Sequence, residues 1–157
     1  MKVIFLDIDG VLNTIEYIGR RRELGISGHD ENGVSLFDPV MIERLNEIII
    51  ATNAKIVISS CWRMLYTINE LRNIWRERNI LGEIIDTTSV GSMRERGIEI
   101  REWLDEHENK IDSYVILDDD SDMLPSQFKN LILTNWKTGM NDEHVRKAIK
   151  TLNDKYR

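Results

Sequence analysis

Three apolar runs in this chain each stop at a cluster of oxygen-bearing side chains, and that repetition restricts the fold more than any other feature. Lys2 to Leu6 (KVIFL) runs into Asp7-Ile8-Asp9-Gly10. Lys55 to Ile58 (KIVI) runs into Ser59-Ser60. Ser113 to Leu117 (SYVIL) runs into Asp118-Asp119-Asp120-Ser121-Asp122. Short, continuous apolar runs of this kind fit strands buried on both faces, as in a parallel sheet. Parallel strands all end on one side, so the three polar clusters would gather at one rim. Carboxylates brought so close repel one another unless a cation lies among them. Oxygen-only ligands suit Mg²⁺, which takes one or two carboxylates and keeps several waters.

The segments between these runs supply the helices that a parallel sheet needs on its faces. Asp38-Pro39 starts one, with Met41, Leu45, Ile48, Ile49 and Thr52 at helical spacing. Ile68, Leu71, Ile74 and Trp75 mark the next, followed by a short strand, Glu83 to Asp86. Ile100, Trp103, Leu104 and His107 form one face of a helix beginning near Glu95. A last strand, Asn130 to Leu133, precedes a helix capped by Asn141, whose inner face is Val145, Ala148, Ile149, Leu152 and Tyr156. Residues 14–37 break the alternation. They are polar, glycine-containing and weakly periodic, and they follow the first strand, at the mouth of the expected sheet. Long connections in such places are often functional.

A chain of 157 residues suits one domain, 1–157, with a single core. No apolar run approaches the roughly 18–20 residues of a membrane helix. The N-terminal apolar stretch stops at Asp7, short of the ~7–15-residue core of a secretory signal. The one cysteine, Cys61, cannot form an internal disulfide. A cytoplasmic protein with no membrane partner is the expectation. The formal net charge of −6 argues against broad binding of duplex nucleic acid, which needs a basic face. It leaves room for a nucleotide or a strand end held by a few arginines.

The motifs DIDGVLN (Asp7 to Asn13), KIVISS (Lys55 to Ser60) and VILDDDSD (Val115 to Asp122) occur in that order along the chain. On them the sequence resembles the haloacid dehalogenase (HAD) superfamily over nearly its whole length. The run SSCWR, the segment RGIEIREWL and the tail LTNWKTGMNDEHVRKAI are similar, more narrowly, to HAD phosphatase domains of RNA-repair proteins. The resemblance implies a three-layer, Rossmann-like α/β fold around a parallel sheet of about five strands, with a minimal cap or none and residues 14–37 as a small flap. It implies a Mg²⁺-dependent phosphatase. Asp7 would attack phosphorus to give an aspartyl-phosphate, and Asp9 would protonate the leaving oxygen and then activate water. Magnesium would be held by Asp7, the Asp9 backbone carbonyl and an acid of the third motif. Asp119 is favoured there and Asp118 follows closely, with Asp122 as the other spacing. Ser59 would bond a phosphate oxygen. The basic residue of the family falls on Arg96 or Arg94. Gly10, Ser60, Arg63 and Arg94 complete the set facing the substrate.

Other residues have plainer readings beside the functional ones. Arg63 could meet a substrate phosphate or lock its loop. Arg20-Arg21-Arg22 reads as a solvated charge run, or as a basic lip guiding a strand end. His29, His107 and His144 have no metal-ligand spacing. Trp62 and Trp136 follow strands and could stack on a base or pack inside. The small insertions leave an open site, which admits bulky or polymeric substrates. A nucleotide or nucleic-acid terminal phosphate, with the 3′ end favoured, is the first expectation. A small-metabolite or free-nucleotide monophosphatase is the second, and a catalytically idle binding module of the same fold is the third.

Overall fold

The computed structural model describes residues 1–90 and 95–154, so Arg94 and Tyr156 lie outside the described residues. Five strands form one parallel sheet: β1 (Lys2–Leu6), β2 (Lys55–Ile58), β3 (Ile84–Thr87), β4 (Ser113–Asp118) and β5 (Leu131–Leu133), in the spatial order β3-β2-β1-β4-β5. The chain steps outward from β1 through β2 to β3, then returns to the other side for β4 and β5. The reversal lies between β1 and β4, where open α/β sheets form their ligand crevice.

The helices are α1 (Ile15–Glu23), α2 (Pro39–Thr52), α3 (Ile68–Glu77), α4 (Arg96–Glu106) and α5 (Asp142–Asn153). They cover both faces of the sheet. Alternation along each strand divides the core between them. Ile4, Leu6, Ile56, Ile58, Val115 and Leu117 share one apolar cluster with residues of α2, α3 and α5. Val3, Phe5, Val57, Tyr114 and Ile116 share a second with Ile100 and Trp103 of α4. Phe5 meets the edges of Trp103 and Tyr114 at 5.3 and 5.8 Å between ring centres, geometries that the ring quadrupoles favour.

Local chemistry sets the helix starts. Asp38 accepts from the Val40 N–H with Pro39 in the first turn, and Thr67 and Glu70 close a capping box. Asn141 accepts from the His144 N–H. The start of α4 is different. Glu95 makes no capping bond, and the carboxylate of Asp122, far along the chain, accepts from the Arg96 N–H at 3.1 Å.

The segment 14–37 is not a featureless connection. It contains α1, capped by the Thr14 side chain, which accepts from the Tyr17 N–H. No residue of α1 is buried, so no apolar stripe marked it in the sequence. The strand limits differ from expectation by a residue, at Ile84–Thr87 and Leu131–Leu133. None of the described helices is long and apolar enough to cross a membrane.

Gly97 shows how closely α4 is seated. A Cβ there would collide with the Leu124 backbone nitrogen and the Met123 Cα. Gly19 in α1 has open space at the same position. We predict that Gly97→Ala lowers stability by about 1–3 kcal/mol in urea denaturation, the usual cost of overpacking. Gly19→Ala is expected to be neutral or to stabilise by up to about 1 kcal/mol, from helix propensity.

Candidate active site

Every strand of the sheet ends in a buried polar residue, held by one more rung of backbone bonding. Asp7 N–H donates to Leu117 O (2.9 Å), Ser59 N–H to Leu6 O (3.0 Å), Thr88 N–H to Ile58 O (3.0 Å) and Thr134 N–H to Asp118 O (2.8 Å). Asp7, Ser59, Thr88, Asp118 and Thr134 are all buried. The sheet thus carries its backbone bonding past its apolar runs and lays a polar row along one rim. Thr88 and Thr134 were not among the residues expected. The signal for them was present, because IIDTT and LILT repeat the apolar-then-hydroxyl pattern.

At the centre of this rim Arg96 bridges two strands. Its Nη1 lies 2.9 Å from Asp7 Oδ1 and donates to Asp118 Oδ2 at 2.8 Å. The first turn of α4 carries it there, fixed through Asp122 and through Gln127, whose amide donates to Gly97 O at 2.8 Å. Asp7, Asp118 and Asp119 each place one carboxylate oxygen within 4.8 Å of the others. Asp118 Oδ1 accepts from the Asp120 N–H at 3.0 Å. Asp119 lies against Gly10, where a Cβ would strike its carboxylate. Gly10 also has φ +75°, a conformation that side chains disfavour, so both constraints select glycine. Its carbonyl accepts from the Thr134 hydroxyl at 3.1 Å, and its N–H donates to Asn13 O at 2.9 Å.

One guanidinium against three carboxylates leaves an excess of two negative charges. Burial pushes the Asp118 carboxyl up to about 7, the Asp7 charge adds to the rise, and Arg96 opposes it. Burial and Asp7 raise Asp119 as well. Burial disfavours the charge on Arg96, yet the Asp7 and Asp118 carboxylates outweigh that and hold it protonated. Such a cluster, oxygen-only and short of positive charge, matches what a hard divalent cation supplies.

Asp9 is exposed and its carboxylate is aimed by two donors. Asn13 Nδ2 donates to Oδ1 at 2.6 Å and the Trp62 indole donates to Oδ2 at 3.1 Å. Trp62 itself is buried, beside Phe37 (5.5 Å) and Tyr66 (5.4 Å). The sequence offered stacking on a base or packing for Trp62. Packing is what the structure shows, with the added task of orienting Asp9. Cys61 Sγ lies 3.7 Å from Asp9 Oδ2, and burial followed by the Asp9 charge pushes its thiol up, away from the reactive thiolate.

The end of β2 divides its labour. The Ser59 hydroxyl is buried without a hydrogen-bond partner, and the Thr88 hydroxyl on the adjacent strand end is in the same state. Ser60 caps the short 3-10 turn Cys61–Met64, accepting from the Trp62 N–H. Arg63 donates to Ser59 O (2.8 Å) and Ser60 O (2.6 Å) and pairs closely with the buried Glu99 of α4. Of its two sequence readings, these contacts match the loop lock. The arginine run at 20–22 sits in the last turn of α1, where cations suit the helix terminus. Arg20 lies 3.9 Å from Asp38, and Arg21 donates to Ser27 O at 2.6 Å. His107 stacks on Trp103, and His144 belongs to the α5 cap.

A family model described as the HAD domain in Swiss Army Knife RNA repair proteins matches residues 3–145. The chain belongs to this family. The match takes in all of the sheet except Lys2 and every rim residue described above, so the HAD domain has its acid cluster where the three sequence motifs converge. No curated protein and no solved structure matches the chain at a significant level.

Asp118 holds its proton to higher pH when folded than when unfolded. Between pH about 4 and about 7 the folded state binds the extra proton, so stability falls as pH rises through that window. His144, depressed by burial, acts in the opposite sense, so the comparison needs a variant. In EDTA, the change in urea midpoint from pH 5 to pH 7 is expected to be more negative for the parent than for Asp118→Asn. Arg63→Ala removes the ion pair with Glu99 and the bonds to Ser59 O and Ser60 O. It should cost about 1.5–3 kcal/mol in the same assay, the usual worth of hydrogen bonds to charged groups.

Proposed function

We propose that the HAD domain is a Mg²⁺-dependent phosphomonoesterase that works through an aspartyl-phosphate on Asp7. The observation that carries this reading is the convergence of Asp7, Asp118 and Asp119 around a single arginine. The donor set suits Mg²⁺ held by the Asp7 and Asp119 carboxylates and the Asp9 backbone carbonyl, with Asp118 alongside and tied to Arg96. When bound, the ion supplies the positive charge that lets an anionic nucleophile approach an anionic phosphate.

The chain's own residues divide the remaining work. The Asp7 carboxylate forms a bond to phosphorus as the ester P–O bond breaks, and the leaving oxygen takes the Asp9 proton. Asp9 then removes a proton from water, which attacks the acyl phosphate and releases inorganic phosphate. Asn13 and Trp62 hold Asp9 in one orientation through both transfers. The partnerless Ser59 hydroxyl can donate to a phosphate oxygen, and that bond would remove the cost of leaving it buried and unpaired. Thr88 offers a second hydroxyl one strand over. Arg96 pairs with Asp7 and adds charge beside the phosphate. Arg63 serves by position, holding the loop after β2 against α4.

The family description supports a phosphorylated nucleic-acid end as substrate, and a 3′-terminal phosphate is the version we favour. Residues 14–37 form only a small flap in this reading, which leaves the rim accessible to a strand. Phosphate release from an aryl phosphate is expected to require Mg²⁺, to stop in EDTA, and to fall at least ~10³-fold in Asp7→Asn. Hydrolysis by that variant at the parent rate would remove the mechanism. A release assay comparing 3′- and 5′-phosphorylated oligonucleotides, mononucleotides and sugar phosphates decides the substrate.

A further inference from the structure

We propose that a cleft beside Asp9 receives the nucleobase of the nucleotide that carries the scissile phosphate, with Trp136 as its stacking face. The proposal rests on the phosphatase reading and adds a site for the leaving group. The cleft has a volume of about 290 Å³. Asp9, Gly10 and Asp119 form its chemical end, and Ile15, Ile18 and Trp136 give it apolar walls. The size is at the low end for ligand sites, suited to one nucleoside rather than a folded strand.

Position argues for the leaving group. The proton donor must stand next to the departing oxygen, so whatever that oxygen belongs to extends from the Asp9 side of the phosphate. The cleft opens from that side. It begins at the acid and runs between α1 and the turn at residues 135–139.

The walls are built before any ligand arrives. The turn closes with the Thr138 and Gly139 N–H groups donating to Asn135 O (3.1 and 2.6 Å) and the Lys137 N–H to Asn135 Oδ1 (2.9 Å). Gly139, at φ +74°, is pressed against Met41 and Thr14, where a Cβ would collide. The Glu16 N–H donates to Lys137 O at 3.1 Å and joins the turn to the first turn of α1. On this fixed turn Trp136 is 51% exposed, and Ile15 across the cleft is 58% exposed. A large aromatic held open by an ordered turn, beside an acid and facing apolar side chains, offers what a flat base needs. Stacking is tolerant of base identity, which suits an enzyme acting on varied ends. Lys137 Nζ lies 5.1 Å from the Trp136 ring centre, a cation-π contact within the turn itself.

The test uses the full chain with Mg²⁺ and substrate pairs that differ only in the base. One pair is a 3′-phosphorylated oligonucleotide with a normal or an abasic terminal residue. The other is a nucleoside monophosphate and ribose phosphate. kcat/KM is measured on the parent and on Trp136→Ala and Trp136→Phe, and Kd by calorimetry on the same proteins carrying Asp7→Asn. The parent is expected to prefer the base-bearing member by about tenfold. That ratio should collapse toward one in Trp136→Ala and be largely kept in Trp136→Phe. Preference in the oligonucleotide pair alone assigns the cleft to a strand end, and preference in both assigns it to any nucleotide. Equal Kd for base and abasic forms in the parent, or a ratio unchanged in Trp136→Ala, would overturn the proposal. If none of the substrates releases phosphate, the phosphatase reading fails by itself, and the Kd ratio still decides the cleft.

Discussion

A single guanidinium ties the working end of this domain together. Arg96 starts α4 on one face of the sheet and reaches carboxylates at the ends of β1 and β4. Burial and the Asp7 charge disfavour the Asp118 carboxylate and Arg96 opposes them, while both carboxylates hold Arg96 protonated. The helix that delivers the arginine is fixed with equal care. Asp122 caps it, Gln127 bonds its first turn, and Gly97 removes the side chain that would hold it away. The acid run 118–122, from the last residue of β4 onward, thus serves twice. It contributes Asp118 and Asp119 to the rim and fastens the cation that makes their proximity tolerable.

The sheet turns this local chemistry into a site. The strands β1, β2, β4 and β5 are apolar between the helices and end on a buried polar residue, while β3 already carries Asp86 and Thr87 before Thr88. Backbone bonding continues to that residue, so the main chain is fixed where the polar side chain begins. Groups drawn from distant parts of the sequence are therefore held by the most rigid element in the fold. Preorganisation of this kind is what electrostatic stabilisation of a developing charge requires.

Much of this was legible in the sequence, for a physical reason. Apolar runs of four to six residues ending in Asp or Ser encode both a buried strand and its rim, so β1, β2, β4 and the convergence of Asp7, Ser59 and Asp118 could be read directly. Helices with a buried stripe, α2, α3 and α5, were equally plain. The helix α1 was not, because it buries nothing and its periodicity has no core to answer to. Trp62 and Arg63 were ambiguous, since their partners, Asp9 and Glu99, lie far away in the chain. Thr88 and Thr134 escaped notice because a lone hydroxyl after a strand is common, and only the continued hydrogen-bond row gives these two their place.

The double duty of Trp62 has a consequence for how this protein tolerates change. Its ring belongs to the aromatic packing with Phe37 and Tyr66, while its indole N–H steers Asp9. A substitution at Phe37, one ring removed from Asp9, would tilt the same ring that aims the carboxylate. Drift in this corner of the interior is thereby answerable to the aim of Asp9 as well as to folding, and the acid can keep its bearing only while the aromatics around Trp62 keep their shape.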